Sequence, residues 1–113
     1  MNTFRFLDFE VYKLAKALHQ EVIKLTKHFP RECNSLADQI FRSSLSVVLN
    51  IAEGNGRQSL VERKRFFTIS RASANEVASI IEIAYAYNLI DKSNFEFFRC
   101  NLLQVVKILY KLK

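Results

Sequence analysis

The chain has 113 residues, of which 50% are hydrophobic and 25% charged, with a formal net charge of +6. This length predicts one domain, residues 1–113. No apolar run approaches the ~18 residues of a membrane span and the first residues lack a secretory pattern, so we expect a cytoplasmic protein without a membrane segment. Residues 54–113 carry ten Lys or Arg against five acids, and residues 1–53 carry seven against six, so a polyanion should meet the second half first.

The first predicted helix runs from about Phe9 to Lys27. Asp8 is its candidate N-cap, and Pro30 ends it because the residue before a proline is disfavoured in the α region. Apolar residues recur at intervals of three and four, which predicts one buried face. They are Val11, Leu14, Leu18, Val22, Leu25 and Phe29.

The second predicted helix begins with Asn34 or Ser35 as its cap and ends at Gly54, where we expect a left-handed C-cap conformation. Apolar and small residues cover roughly 220° of it, so most of the helix should be buried. The remaining arc of roughly 80° carries a polar stripe. This stripe could face water, but we favour a structural hydrogen-bonding role within the bundle or across a subunit boundary. Its members are Gln39, Arg42, Ser46, Asn50 and Glu53.

The third predicted helix runs from about Leu60 to Asn88, behind a capping box formed by Ser59 and Glu62. The short connection from the second helix requires the two to fold back antiparallel. Two apolar or small-residue rows follow the helix. The first, predicted as the bundle seam, is Phe66, Ser70, Ser73, Val77, Ile80, Ala84 and Tyr87. The second exceeds what one small bundle needs and suggests a subunit interface; it comprises Phe67, Ala74, Ala78, Ile81 and Tyr85.

The fourth predicted helix starts at Asp91 or Ser93. Its apolar positions again step by three and four. Nothing in the chain alternates with the period of a strand. The predicted fold is therefore an all-α, up-down-up-down antiparallel four-helix bundle. The apolar positions of the last helix are Phe95, Phe98, Leu102, Val105, Leu109 and Leu112.

Residues that would indicate an enzyme or a cofactor are sparse. His19 and His28 lack a metal-site pattern and are expected at the surface or its boundary. Cys33 and Cys100 stand apart, which favours reduced structural thiols. The glycines at Gly54 and Gly56 do not form a phosphate-binding loop. We therefore expect no catalytic activity, no metal and no cofactor.

A basic cluster around the start of the third helix is the strongest functional signal. Cations beside a helix N-terminus predict an anion-binding edge and favour contact with a polyanion. The alternative is a solvated helix end in which Glu53 and Glu62 are the partners. Phe66 and Phe67 are expected in the core rather than as a stacking platform for bases. The candidate nucleic-acid-binding residues are Arg57, Arg63, Lys64, Arg65 and Arg71.

Several segments resemble a known family. Phe29 and Pro30, the run LADQIFRSSLSVVLNIAEGNGR at 36–57 and the run RFFTISRASANEV at 65–77 are similar to the four-helix-bundle proteins encoded in intervening sequences of bacterial 23S ribosomal RNA genes. That family is also similar to the accessory protein of diversity-generating retroelements. The resemblance implies a homo-oligomer, with a pentamer favoured, a basic surface for RNA and no catalytic activity. It also implies an alternative role as a protein-interaction scaffold, such as an accessory subunit of a reverse transcriptase.

Overall fold

The protein is all-α, as the periodicity predicted. The computed structural model describes residues 9–112, and no strand occurs in that range. The helix bounds lie within about two residues of the predicted ones. The helices are α1 (Glu10–Thr26), α2 (Asn34–Asn55), α3 (Leu60–Ala86) and α4 (Lys92–Lys111), with a 3-10 turn, Arg31–Cys33, before α2.

The predicted N-caps of α3 and α4 are confirmed, but among the described residues the Glu62 carboxylate does not accept from the Ser59 N–H as a full capping box requires. Ser59 precedes α3 and its Oγ accepts a hydrogen bond from the backbone N–H of Glu62 at 3.4 Å. Asp91, rather than Ser93, precedes α4, and its carboxylate accepts from the N–H of Asn94 at 2.8 Å. Each side chain satisfies a backbone donor that the first helical turn leaves free.

The caps predicted before α1 and α2 have other outcomes. Asp8 lies outside the described residues. Neither Asn34 nor Ser35 caps α2, because the 3-10 turn runs directly into the helix and Cys33 takes the N-cap position.

The left-handed conformation predicted for Gly54 is wrong. The helix continues through this residue to Asn55, and Gly56 follows with a right-handed φ of −81°. Gly54 is buried inside α2, facing the ring of Phe67 on α3. A Cβ at Gly54 would lie 2.6 Å from Phe67 Cε1. A side chain is therefore excluded by the close approach of α3, and the backbone needs no special conformation.

The α2 and α3 helices are antiparallel and share the most extensive contact in the bundle. Gly54, near the end of α2, meets Phe67 near the start of α3. Further back on α2, Ser46 Oγ lies 2.7 Å from Ser73 Oγ, further along α3. Ser70, a small residue of the predicted α3 seam, lies in this contact, and its buried hydroxyl donates to the carbonyl of Val47 at 2.8 Å.

The α4 helix returns along the other side of α3 and completes the bundle. Tyr85 stacks on Phe95 with ring centroids 4.5 Å apart, and Arg71 lies over the ring of Tyr110, so these two helices are also antiparallel. The α1 helix contacts both α2 and α4. The predicted up-down-up-down order is compatible with these neighbours.

The core receives apolar side chains from every helix. Its largest fully buried members include Phe67 and Phe98, with Ile40, Ile51 and Leu109 among the others. Burial of these side chains is the main force that holds the helices together. No helix within residues 9–112 is long and apolar enough to cross a membrane.

The two apolar rows predicted on α3 do not divide into core and interface. Three members of the second row, Phe67, Ala74 and Ile81, are buried in the protomer core, so they are not the surplus surface that was predicted. Tyr87, from the predicted seam, is 64% exposed. The core-facing arc of α3 is rotated toward α4 relative to the prediction, because α4 packs against this helix as well as α2.

Candidate nucleic-acid interface

The five candidate cations lie around one end of the molecule, here called the basic end: Arg57 in the α2–α3 connection and Arg63, Lys64, Arg65 and Arg71 on α3. The α2 helix has 22 residues, so at 1.5 Å per residue its two ends are roughly 33 Å apart. Cations before α2, such as Arg31, are therefore remote from this end.

Arg57 and Arg65 lie on the α2 side of the basic end. Both guanidinium groups approach the half-buried ring of Phe66, with centroid distances of 4.9 Å for Arg57 and 5.7 Å for Arg65. Arg57 also bonds Glu53 Oε2 at 2.8 Å. The aromatic ring holds two positive groups together, since the negative face of a ring attracts a cation.

Lys64 and Arg71 lie on the α4 side of the same end. Both line a cleft between α3 and α4. On the helical wheel, Lys64 is roughly 100° and Arg71 roughly 120° from Arg65. The five cations therefore do not form one flat patch: α3 presents positive charge on two of its faces.

Arg63 is half-buried, whereas Lys64 and Arg65 beside it are exposed. Its Nε is buried, and within residues 9–112 this atom has no hydrogen-bond partner. An unsatisfied buried donor is unfavourable unless another group accepts from it. Among the five cations, Arg63 therefore has a buried donor that the described part of the protomer leaves unsatisfied.

Carboxylates neutralise little of this charge. Among the described residues, Arg57 is the one member of the cluster with an ion pair, and the side chains of Arg57 and Glu53 are both exposed. Glu62 uses its backbone N–H to bond Ser59 and pairs with none of the five cations in the same range. The other four cations therefore carry positive charge without a paired carboxylate in the described part of the chain.

Three of the five members of the polar stripe of α2 form hydrogen bonds with α3 or with each other. Gln39 donates to Glu76, and Asn50 Nδ2 donates to the carbonyl and hydroxyl oxygens of Ser46 at 2.9 and 3.1 Å. The Ser46 hydroxyl continues to Ser73 at 2.7 Å. The other two members of the stripe do not take part in these bonds. Glu53 bonds Arg57 of the basic end, and Arg42 is exposed.

His19 is half-buried between α1 and α2. Its Nδ1 lies 2.7 Å from Ser44 Oγ, and its ring centroid is 5.0 Å from that of Phe41. Burial lowers the pKa of His19 from its ordinary value of 6.5. Ser44 also donates to the carbonyl of Phe41 at 3.2 Å. Within residues 9–112, no three His, Cys, Asp or Glu side chains are placed to hold a metal ion.

The family model for the 23S rRNA-intervening sequence protein matches residues 7–111. The chain belongs to this family. Because the match extends from before α1 to the end of α4, membership applies to the whole bundle and not to one motif.

A solved structure similar to this chain is a protein with unknown function from the S23 ribosomal protein family of Bacteroides thetaiotaomicron VPI-5482. It is 22% identical, with a TM-score of 0.81, over 88% of this chain and 91% of that chain. At this identity the likeness supports the shared fold. None of the curated proteins matches the sequence.

The structure adds an aromatic residue to the basic end of this family member. Tyr110, on the last turn of α4, is 73% exposed, and the guanidinium carbon of Arg71 lies 4.2 Å from its ring centroid. The sequence reasoning missed Tyr110. It stands far along the chain from the cluster, and only the antiparallel return of α4 brings it there.

Proposed function

We propose that the protein is a non-enzymatic, homo-oligomeric four-helix bundle that associates with RNA or other nucleic acid through its basic end. The observation that carries the proposal is the concentration of cations without carboxylate partners. Four of the five, Arg63, Lys64, Arg65 and Arg71, have no ion pair within the described part of the chain. Cations that are free of acidic partners can neutralise backbone phosphates and release the counterions bound there.

The first test measures binding of a structured RNA at several salt concentrations. The variant Lys64→Gln/Arg65→Gln removes two exposed charges from the basic end. We expect weaker binding and a salt slope smaller by about 0.7–0.9 for each phosphate that the variant no longer neutralises.

The matched control is Lys27→Gln/Arg31→Gln, which removes the same charge from exposed residues near the start of α2. This control should leave the salt slope unchanged, since these residues are remote from the basic end. Equal losses of affinity in both variants would mean that only net charge matters. Binding by the wild type that is insensitive to salt would overturn the proposal.

The oligomeric part of the proposal is supported by the family resemblance, which favours a pentamer. A ring of identical copies would bring several basic ends around one axis and increase their combined field. The mass in solution tests it directly: five chains of 13.2 kDa would give about five times that mass. A particle of 13.2 kDa at working concentration would contradict it.

The second candidate function is a protein-interaction scaffold, for example an accessory subunit of a reverse transcriptase. An apolar groove between α3 and α4 favours it; Ala78, Leu103 and Val106 line this groove, and Leu103 is 53% exposed. Recovery of the macromolecules that accompany the protein from native cells separates the two functions. A reverse transcriptase without nucleic acid would support the scaffold, and RNA without that enzyme would support the first proposal.

A further inference from the structure

The cleft between α3 and α4 at the basic end combines an aromatic face with positive charge. Its volume is ≈ 130 Å³, and Lys64, Thr68, Arg71 and Tyr110 line it above an apolar floor that includes Leu109. We call it the Tyr110 cleft. We infer that the Tyr110 cleft is a subsite for single-stranded nucleic acid, in which an unpaired base stacks on Tyr110 while Lys64 and Arg71 hold the adjoining phosphates. This inference rests on the proposed function.

The Tyr110 ring is placed to accept a base. The Arg71 guanidinium covers one face at 4.2 Å. Since 73% of the residue is exposed, the opposite face is open to solvent. A nucleobase on that face would complete an arrangement of guanidinium, ring and base, and both contacts of the ring would be favourable.

Arg71 is held in position before any ligand arrives. Its Nη2 donates to Thr68 Oγ1 at 3.2 Å, within α3, while its guanidinium carbon rests over a ring from α4. Two contacts from different helices fix the side chain, so less conformational freedom is lost on binding. The guanidinium keeps further N–H donors for a phosphate.

Lys64 supplies the second positive group and distinguishes the ligand class. It is exposed, lies about two turns before Arg71 on the same face of α3 and has no ion pair in the described range. Two cations along one groove can contact successive phosphates of a strand. A base in a duplex has both faces covered by its neighbours, so only an unpaired, unstacked base can use the open ring.

The test compares a short oligothymidine strand with the same strand in which the thymines are replaced by abasic sites. The two probes carry the same phosphates, but only the first has bases that can stack. We expect the wild type to bind the thymine strand about tenfold more tightly. Tyr110→Leu should remove this preference, whereas Tyr110→Phe should keep it, because phenylalanine retains the ring.

The control is Tyr87→Leu, which removes another exposed tyrosine, 64% exposed, at the C-terminal end of α3 away from the cleft. It should leave the preference intact. A circular-dichroism melt of each variant verifies folding, and Tyr110→Phe provides a second reading if Tyr110→Leu is unstable.

The outcomes separate this inference from the proposed function. Salt-dependent binding that is equal for the thymine and abasic strands would overturn the stacking subsite while leaving the proposed function standing. A preference that survives in Tyr110→Leu would also overturn it. If the wild type bound neither these strands nor the structured RNA at low salt, both proposals would fail.

Discussion

At the scale of single residues, Gly54 shows how one missing side chain sets the approach of two helices. Alanine is the better helix former by about 1 kcal/mol. Here its Cβ would lie 2.6 Å from Phe67 Cε1 and 3.2 Å from Phe66 Cβ, and Phe67 is 2% exposed. The ring has little room to move, so we predict that Gly54→Ala lowers the free energy of unfolding by about 1–3 kcal/mol, measured by urea denaturation.

Gly56→Ala is the matched control for that prediction. A Cβ there would meet its nearest atoms at 3.6 and 3.7 Å, which is ordinary contact, and the backbone is right-handed with φ −81°. We expect a change within about 0.5 kcal/mol, or a small gain in stability. If Gly54→Ala were as stable as Gly56→Ala, the packing of Phe67 against Gly54 would not be what demands glycine.

His19 makes stability depend on pH. Because burial lowers its pKa from 6.5, the folded state takes up a proton less readily than the unfolded state. Above pH 6.5 the His19 ring is neutral in both the folded and the unfolded state, so it takes nothing from the stability there. As the pH falls toward the folded-state pKa, the unfolded state binds the proton first and stability is lost. We predict that the wild type loses more stability than His19→Gln between about pH 7.5 and about pH 5.

Urea denaturation across that pH range measures the effect, with His28→Gln as the control. His28 is exposed, lies beyond the end of α1 and does not share the contact of His19 with Ser44 and Phe41. The variant His28→Gln therefore removes one histidine without changing that contact. Every titratable group other than His19 is present in both the wild type and His19→Gln, so the difference between them isolates His19. The same pH slope in wild type and His19→Gln would contradict the assignment.

At the scale of elements, the end of α3 depends on one left-handed residue, Asn88, with φ 62°. The N–H of Leu89 bonds the carbonyl of Ala84 at 2.9 Å, and the N–H of Asn88 bonds that of Tyr85 at 3.0 Å, which closes the helix with a Schellman motif. We predict that Asn88→Ala costs about 1 kcal/mol of unfolding free energy, while Asn88→Gly is neutral or stabilising.

Asn75→Ala provides the opposite expectation within the same helix. Asn75 is exposed in the interior of α3, where alanine has the higher helix propensity, so this change should not destabilise the protein. Thermal denaturation of the three variants decides the matter. A loss of stability in Asn75→Ala equal to that in Asn88→Ala would indicate that side-chain removal, and not backbone conformation, is responsible.

The helices could be predicted from the sequence, but their ends and facing arcs only in part. Periodicity and strong caps such as Ser59 and Asp91 depend on neighbours along the chain, and these were placed correctly. Gly54 was misassigned because its constraint comes from Phe67 on another helix. The seam predicted on α3 is buried at Ser70, Val77, Ile80 and Ala84, but the buried arc also takes in Phe67, Ala74 and Ile81. Its width depends on where α4 lies, and a single helix does not encode that.

At the scale of the whole molecule, part of the candidate site could be predicted from neighbouring residues in the sequence, and part depends on how the helices pack. The cationic composition of the basic end is a local property of residues 57–71 and was visible in the sequence. Its separation into two faces required the helix to be oriented in the bundle. Tyr110 required more, since its place beside Arg71 depends on the length and return direction of α4. Residue spacing along the chain does not reveal a site whose members are brought together by the fold.

The last prediction tests whether assembly and nucleic-acid contact are carried by different parts of the molecule. Asn50 donates two hydrogen bonds to Ser46, whose hydroxyl continues to Ser73 on α3. Asn50→Leu removes these donors at a half-buried position, so we expect unfolding free energy lower by about 1 kcal/mol or an altered oligomer mass. RNA affinity of the folded protein should stay unchanged, whereas Lys64→Gln/Arg65→Gln should show the reverse pattern. Loss of RNA binding by an Asn50→Leu protein of unaltered mass and stability would place the polar stripe in the nucleic-acid interface instead.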